Sequence, residues 1–340
     1  MKLRMKIIKN FGFVMGFTLL VVSCKSVSSS KTVGSKLVTM QATQFTYQNI
    51  SGIGLDSSFN RRDNSDIIKV GKKYYVWYTR MDSPQTSGYW GTIWYATSED
   101  EGFTWKEQGR ALGLGATGEF DNHSVFTPNI LVHNGKYYMY YTGVKPTPGN
   151  VNNEFEANST TDITALGLAV ADSPDGPFVR VKNNPVLEIS TVATDFDSFR
   201  IDDASLFKKD NKIALYYKGR SIIDGKEGPK KTKMSVAYAD RPEGPFKKHD
   251  GPLLEKSHEV LIWAQNGGVA ASASINASIN FAKDGEHFTP IQENLVNIPK
   301  APGLYRPELE EGYKGAATAF WGISMKSEKG KAYLVRFEMK

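Results

Sequence analysis

Residues 66–79 read DIIKVGKKYYVWYT, and residues 129–142 read NILVHNGKYYMYYT. Each stretch has an aliphatic run, a turn containing Gly71 or Asn134-Gly135, and then a run of aromatic residues. Such aromatic runs are typical of half-buried strands, and Gly or Asn-Gly supplies the turn of a hairpin. A third stretch, Ser205–Gly219, repeats the pattern with Asp-Asn at its turn. The chain is therefore built on a repeated hairpin.

A second hairpin follows each of these three stretches. In it, a strand of small and β-branched residues meets a charged turn and then an aromatic residue. The three segments are Thr92–Trp105, Leu166–Phe178 and Met234–Phe246. Corresponding tyrosines lie 63 residues apart (Tyr74 and Tyr137) and 76 residues apart (Tyr140 and Tyr216). Four strands per unit at this spacing are typical of propeller blades.

Two further units complete the repeat. One begins near Val260 and includes the Asp284-Gly285 turn, and the other begins near Tyr305 and runs to Phe337. Five units fit residues of about 50 to 340, where helical periodicity is almost absent. We therefore predict an all-β fold, a five-bladed β-propeller with its active site in the central channel. The alternative is a β-sandwich of short strands.

The N-terminus has the pattern of a targeting segment. Four basic residues precede the mostly apolar run Phe11–Val22, which is too short for a stable membrane anchor. Cys24, the only cysteine, follows directly and resembles the acylated cysteine of a bacterial lipobox. We expect a signal peptide over residues 1–23, lipidation of Cys24, a flexible tether over 24–50 and the propeller over 51–340. The alternative is an ordinary signal peptide with an incidental cysteine.

This segment has two consequences. It predicts an exported bacterial lipoprotein, periplasmic or outer-membrane associated, that is attached to the membrane through Cys24. It also explains much of the basic charge, because the formal charge of 42 − 36 = +6 becomes 38 − 36 = +2 once residues 1–23 are removed. The sequence shows no basic stripe with interleaved aromatics, so nucleic acid is not an expected partner.

Carboxylates head several of the repeated units. Asp63 lies eight residues before the turn at Gly71, and Asp203 lies eight residues before the turn at Asn211. Inner strands of a propeller begin at the central channel, so these two acids are expected to face one pocket. Paired carboxylates in a pocket are the chemistry of glycoside hydrolysis.

The neighbouring charged residues are more ambiguous. Asp66 and Asp202 are expected either to support the pocket or to pair with Arg61, Arg62 or Arg200. His258 and Glu259 open the fourth unit, and an ordinary His can donate a proton near neutral pH.

The sequence offers aromatic residues for a sugar-binding platform but no pattern of metal ligands. Aromatic candidates for the platform, each of which could instead pack in the core, are Tyr89, Trp90, Trp94, Trp263 and Tyr305. The five histidines show no zinc spacing, and no cofactor is expected. A divalent ion in the propeller channel is an open alternative, although the chain has no dedicated ligand motif.

Taken together, the motifs resemble glycoside hydrolase family 117, the α-1,3-L-neoagaro-oligosaccharide hydrolases, which are related to the family 43 propeller glycosidases. They run in order over about residues 55–310. The segments that carry the resemblance are Arg61–Ile68, Gly91–Asp100, Val125–Tyr138, Phe196–Asp203, Ser257–Val260 and Leu304–Glu308. The resemblance implies an exo-acting, inverting hydrolase that releases terminal 3,6-anhydro-L-galactose from neoagaro-oligosaccharides.

The resemblance also implies roles for individual residues. Asp63 matches the general base, Asp203 the carboxylate that positions the sugar, His258 the general acid and Glu259 a sugar-binding acid. In the arabinan- and xylan-cleaving relatives the acid is a Glu, so the last two roles could be exchanged. We further expect substrate contacts from six residues, which are Arg62, Trp94, Thr127, Trp263, Tyr305 and Arg306.

Two departures from the family pattern bear on these expectations. Asp202 stands where relatives commonly have His, and two adjacent buried acids would raise one another's pKa. Residues 25–55 have no clear counterpart of the helical N-terminal extension through which some members dimerise. The alternatives are an arabinofuranosidase or xylosidase, an enzyme acting on sulfated galactan, and a glycan-binding lipoprotein with a degenerate site.

Overall fold

Five antiparallel sheets arise from the repeated hairpins of the sequence. The computed structural model describes residues 43–81, 91–145, 163–209, 211–310, 312–314 and 320–340. These residues contain 21 strands, and each sheet has four strands in its main path. The predicted five-bladed β-propeller is thereby confirmed.

The first three blades follow one another along the chain, each from its inner to its outer strand. Blade 1 has β2 (Asn60–Asn64), β3 (Ile68–Val70), β4 (Lys73–Met81), β5 (Thr92–Ser98) and β6 (Lys106–Leu112). Blade 2 has β7 (Ser124–His133), β8 (Lys136–Lys145), β9 (Ile163–Ala171) and β10 (Val179–Arg180). Blade 3 has β11 (Arg200–Lys209), β12 (Lys212–Arg220), β13 (Lys233–Ala239) and β14 (Lys247–Lys248).

The last two blades differ in how they are completed. Blade 4 has β15 (Val260–Gln265), β16 (Gly268–Ala273), β17 (Ser278–Ala282) and β18 (Thr289–Gln292). Blade 5 has β19 (Lys300–Leu304), β20 (Trp321–Glu328), β21 (Lys331–Met339) and, outermost, β1 (Phe45–Asn49) from the other end of the chain. The 3-10 segments are Ile222–Lys230 and Pro307–Leu309. No helix among the described residues is long and apolar enough to cross a membrane.

Pairing of β1 with β21 joins the two ends of the propeller. The register runs from Phe45 opposite Met339 to Asn49 opposite Val335. The sheet therefore includes residues before position 51, where the propeller was expected to start. The inner strand of blade 5 likewise begins at Lys300, ahead of the expected start near Tyr305. Both ends of the propeller thus contribute to one sheet.

Each inner strand packs beside the inner strands of the two neighbouring blades, so β2, β7, β11, β15 and β19 form a closed ring. Gly303 shows how close this approach is, because a Cβ atom there would lie only 1.9 Å from the backbone oxygen of Ser65. Larger side chains on the β4, β8 and β12 strands fill the space between blades, among them Trp77, Tyr140 and Tyr216, which are almost fully buried.

Asp66 connects three blades from a position that is 1% exposed. Its carboxylate accepts hydrogen bonds from the Leu304 backbone N–H at 2.9 Å and from Nη1 of Arg306 at 3.0 Å, both on blade 5. The Asn129 side chain of blade 2 donates to the same carboxylate at 3.3 Å and accepts from the Asp66 backbone N–H at 3.2 Å. Asp66 is therefore structural, and its cation is Arg306 rather than Arg61, Arg62 or Arg200.

Removing the Asp66 carboxylate leaves the Arg306 guanidinium, which is 0% exposed, without one of its two acids. We expect Asp66→Ala to lower the free energy of unfolding by about 3–5 kcal/mol, the usual cost of breaking a buried ion pair from one side. Urea denaturation measures the loss. The matched control is Asp172→Ala, which removes an exposed ion pair with Lys136 and should change stability by less than about 0.5 kcal/mol. Equal effects of the two substitutions would contradict the role given to Asp66.

Candidate active site

The five inner strands meet at a small cavity of about 30 Å³. Each blade contributes two or three consecutive residues to its wall. These segments are Asp63-Asn64, Thr127-Pro128-Asn129, Asp203-Ala204, Glu259-Val260 and Ala301-Pro302. The equivalence of Asp63 and Asp203, inferred from their distance to the turn, is thus reproduced in three dimensions. The ring carries acids at three of its five positions and none at the other two.

A shared backbone feature sets the direction of four of these side chains. Asp63, Thr127, Asp203 and Ala301 have φ angles of 49°, 44°, 56° and 41°, and each lies at a shift in the pairing with the next strand. This left-handed conformation costs a non-glycine residue roughly 1–2 kcal/mol. Its repetition in four blades shows that the inner strands β2, β7, β11 and β19 are bulged at the cavity, which redirects one side chain there.

Asp63 is held by its sequence neighbour. The Nε atom of Arg62 lies 2.6 Å from Oδ2 of Asp63, and the aspartate is 8% exposed. Burial raises the pKa of Asp63, and the Arg62 charge only partly offsets that rise. Arg62 therefore opposes the effect of burial on the Asp63 carboxylate.

Lys218 bridges the two acids of blade 3. Its ammonium lies 2.7 Å from Oδ2 of Asp203 and 3.1 Å from Oδ1 of Asp202. Burial, together with the Asp202 charge, raises the pKa of Asp203 to about 7. At Asp202 burial is outweighed by Lys218, Arg220 and Arg200, and the pKa is lowered. The expectation that both pKa values rise was therefore wrong for Asp202, because three cations stabilise its charge.

His258 is neutral at physiological pH. Burial, reinforced by the charge of Lys218, lowers the pKa of His258 to about 4. Arg220 Nη2 lies 3.3 Å from Nε2 of the ring, and a guanidinium can only donate, so Nε2 accepts and the proton is on Nδ1. Nδ1 faces Oε1 of Glu259 at 3.7 Å. Glu259, and not His258, contributes to the cavity wall.

Sequence reasoning missed Lys218 and Arg220, although the repeat contains a signal for both. Lys218 occupies the strand position held by Thr79 and Thr142 in blades 1 and 2. Arg220 occupies the position of Met81 and Val144. A charged residue that replaces a neutral one at a repeated, buried strand position marks a site that differs between blades.

The predicted substrate-binding residues divide into two groups. Arg62 and Thr127 belong to the cavity region: Arg62 contacts Asp63, and Thr127 lies in the wall with its hydroxyl 2.5 Å from that of Thr142. Trp94 lies further out on blade 1, with the Arg80 guanidinium 3.7 Å from its ring centroid.

The structure does not bring the other three to the cavity. Trp263 is 4% exposed and packs in the core, and Arg306 is fully buried between Asp66 and Glu308. Tyr305 stacks on Trp321.

Three sequence candidates lie outside the described residues, namely Cys24, Tyr89 and Trp90. Within the described ranges, no group of three or more His, Cys, Asp or Glu side chains is placed to hold a metal ion.

Comparison with known proteins agrees with this geometry. The family model of glycosyl hydrolases family 43 matches residues 60–227. A solved family 117 glycoside hydrolase from the marine bacterium Zobellia galactanivorans is 27% identical, with a TM-score of 0.74 over 88% of this chain and 90% of that one. The chain is a glycoside hydrolase. Its resemblance to family 117, with a relation to family 43, is confirmed.

Two further relatives are more distant. Xylosidase/arabinosidase 43A of Humicola insolens is 27% identical over 156 residues, which span 44% of this chain and only 42% of that enzyme. A solved thermostable family-43 glycoside hydrolase is 15% identical, with a TM-score of 0.57 over 86% of this chain and 96% of the other, and shows the shared fold alone.

The raised pKa of Asp203 makes the stability of the hydrolase depend on pH. Between the ordinary Asp value of about 4 and pH 7, the native state keeps a proton that the unfolded state has lost, so stability falls as pH rises. Asp203→Asn abolishes this titration. Relative to wild type, the variant should gain on the order of 2 kcal/mol in unfolding free energy between pH 4.5 and pH 7.5.

Urea denaturation at both pH values tests this expectation, and Asp172→Asn, at an exposed position, is the control. A constant difference between wild type and Asp203→Asn across the range would contradict the raised pKa.

Proposed function

We propose that this hydrolase removes the terminal sugar of an oligosaccharide with inversion of configuration, and that its substrate class is red-algal galactan, with 3,6-anhydro-L-galactose as the released unit. The observation that carries the proposal is the convergence of Asp63, Asp203 and Glu259 on one cavity from blades 1, 3 and 4. The family 117 relative from a marine bacterium, similar over almost the whole chain, supports the choice of sugar.

Asp63 is the proposed general base. It lies in the cavity wall and is almost fully buried, and the adjacent Arg62 partly offsets the rise in its pKa that burial causes. A carboxylate whose pKa is raised accepts a proton from water more readily than an ordinary one. In an inverting enzyme this water attacks the anomeric carbon from the face opposite the leaving group.

Glu259 is the proposed general acid. His258 is a weaker candidate, because its pKa of about 4 leaves almost no imidazolium at neutral pH. In the neutral ring Nδ1 lies 3.7 Å from the Glu259 carboxylate, beyond hydrogen-bond distance, while Arg220 contacts Nε2. We therefore assign proton donation to Glu259 and the positioning of Glu259 to His258.

Asp203 is proposed to bind the sugar rather than to attack it. Lys218 already holds one of its oxygens at 2.7 Å, and protonation near pH 7 gives the carboxyl a donor as well as an acceptor. A carboxyl of this kind can hydrogen-bond a sugar hydroxyl. It can also gain or lose its proton when the charge of a neighbouring group changes.

A second candidate keeps the chemistry and changes the sugar. The family 43 match over residues 60–227 and the likeness to xylosidase/arabinosidase 43A favour an arabinofuranosidase or xylosidase activity. Both candidates use the same three acids and differ only in the sugar. A panel of substrates therefore distinguishes them.

Export and membrane attachment are part of the proposal as well. They rest on the N-terminal sequence alone, with the basic residues, the apolar run Phe11–Val22 and the lone Cys24. A periplasmic or outer-membrane lipoprotein would meet oligosaccharides produced outside the cytoplasm. Labelling with a radioactive fatty acid, compared between wild type and Cys24→Ser, tests the acylation.

The proposed base is tested by incubating wild type and Asp63→Asn with neoagarobiose, porphyran and carrageenan oligosaccharides, arabino-oligosaccharides and xylo-oligosaccharides. We expect wild type to cleave the neoagaro-oligosaccharide and kcat for Asp63→Asn to fall by about 10²–10⁴-fold, the usual contribution of a positioned proton acceptor. The control Asp172→Asn should retain wild-type kcat. Undiminished turnover by Asp63→Asn would reject the base, and cleavage of pentose substrates alone would favour the second candidate.

Leaving-group dependence separates the roles of Glu259 and His258. Glu259→Gln should lose about 10²–10⁴-fold in kcat on the natural sugar leaving group. It should lose far less on an aryl glycoside of the same sugar with a nitrophenol leaving group, because nitrophenolate departs without protonation. His258→Gln should show similar, modest losses on both substrates.

The result that contradicts this assignment is the reverse pattern, in which His258→Gln is rescued by the activated leaving group and Glu259→Gln is not.

A further inference from the structure

Aromatic side chains gather at a second cleft, on blade 5 and the adjoining edge of blade 1. The cleft has a volume of about 580 Å³, within the range of small-molecule sites. Its wall includes Tyr305, Tyr313, Phe320 and Trp321.

This cleft lies at the far end of the inner strands from the catalytic cavity. On β19, Ala301 lines the cavity, while Tyr305 follows the end of the strand and lines the cleft. Four residues of extended chain span roughly 13 Å. A ligand in the cleft is therefore outside the catalytic cavity.

Exposure distinguishes this surface from the rest of the molecule. Phe103, Tyr313 and Phe320 are 41%, 40% and 62% exposed, and they are the three most exposed aromatic side chains of the described residues. All three lie here, since the Arg336 guanidinium in the cleft wall is 4.2 Å from the Phe103 ring centroid and 4.9 Å from that of Trp321. Large exposed aromatic groups that cluster mark a binding surface more often than a passive one.

The rim of the cleft is polar but carries no excess charge. Glu101 and Glu338 balance Arg336 and Lys340. Arg336 donates to Glu338 at 2.8 Å, and the Lys340 ammonium lies 3.4 Å from the same carboxylate. An anionic ligand would find no net positive potential here, whereas hydroxyl groups could bond to both kinds of charged side chain.

Two of the aromatic rings are already fixed in place. Tyr305 and Trp321 stack with their centroids 5.5 Å apart at an angle of 27°, and Tyr74 meets the Trp321 ring edge-on at 5.5 Å. Little side-chain entropy remains to be lost there when a ligand binds. Trp321 itself is only 7% exposed, so the aromatic surface open to a ligand is that of Phe103, Tyr313 and Phe320, with the partly buried Tyr305 beside them. Flat aromatic faces bordered by hydrogen-bonding groups suit the C–H face and the hydroxyl rim of a sugar ring.

From these features we propose that the cleft is a second carbohydrate-binding site, which takes a neutral, hydroxyl-rich oligosaccharide and holds a longer chain to the enzyme away from the catalytic cavity. The proposal for this cleft rests on the proposed function only for the class of sugar that the cleft binds. Its binding is measurable without hydrolysis, so the two proposals can fail separately.

The test is native gel electrophoresis of Asp63→Asn protein, chosen to suppress hydrolysis, in gels that contain agarose, κ-carrageenan or arabinoxylan. We expect a neutral polysaccharide, agarose or arabinoxylan, to slow the protein. The added substitutions Phe103→Ala and Phe320→Ala should weaken this retention by about tenfold. The matched control adds Val179→Ala, which truncates a 65% exposed apolar side chain on blade 2 and should leave retention unchanged.

Hydrolysis of a disaccharide by Phe103→Ala/Phe320→Ala protein with Asp63 intact provides the second measurement. Its rate should equal that of wild type, because the cleft does not contact the bond that is cut. Retention that persists in the aromatic double variant, or retention by carrageenan alone, would overturn the proposal. Absence of retention in all three gels would also overturn it, whatever the hydrolytic activity.

Discussion

The buried contact between Asp66 and Arg306 is the interaction on which the ring depends. It connects the inner strand of blade 1 to the end of β19 in blade 5, while Asn129 of blade 2 binds the same carboxylate. A buried ion pair stabilises a fold only when its remaining polar atoms are satisfied. Here the Leu304 N–H and Asn129 bind the Asp66 carboxylate and Glu308 accepts from Nε of Arg306, which leaves only Nη2 of Arg306 without a partner among the described residues. The charge that would be costly alone thus fixes three blades relative to one another.

Closure of the ring brings residues that are far apart in the sequence together around one candidate active site. Five bulged or strand-initial positions meet at one cavity, and the residue placed there differs between blades. Thr127 and Ala301 leave two of those positions uncharged, while Asp63, Asp203 and Glu259 supply acids. The repeated inner strands therefore provide the scaffold, and the acids at these positions, together with Lys218 and Arg220 on the next strand of blade 3, provide the charges of the site.

Electrostatic surroundings then separate the acids from one another. Asp202 and Asp203 are adjacent and both buried, yet their pKa values move in opposite directions because Lys218, Arg220 and Arg200 favour the charge on Asp202. Two of these cations, Lys218 and Arg220, also help to keep His258 neutral. Groups whose pKa values are driven apart by their environment can perform different steps of one reaction. The roles proposed for Asp203 and His258 follow from this division, whereas those of Asp63 and Glu259 follow from their convergence on the cavity.

The repeat by itself determined the strand hairpins, the number of blades and the equivalence of Asp63 with Asp203. These properties follow from the local alternation of side chains and from turn residues at fixed distances. Both are local features that can be read from the sequence. The family resemblance added the expected roles of Glu259 and His258. Lys218 could have been found from the repeat, because it stands where blades 1 and 2 have threonines.

Only the tertiary structure decided which distant groups meet. The pairing of β1 with β21, the buried position of Arg306 and the core position of Trp263 all depend on contacts between segments far apart in sequence. No local pattern specifies such contacts. The pKa of His258 also depends on tertiary contacts. This histidine looked suited to proton donation, but it is neutral because the folded chain buries it and places cations of blade 3 beside it.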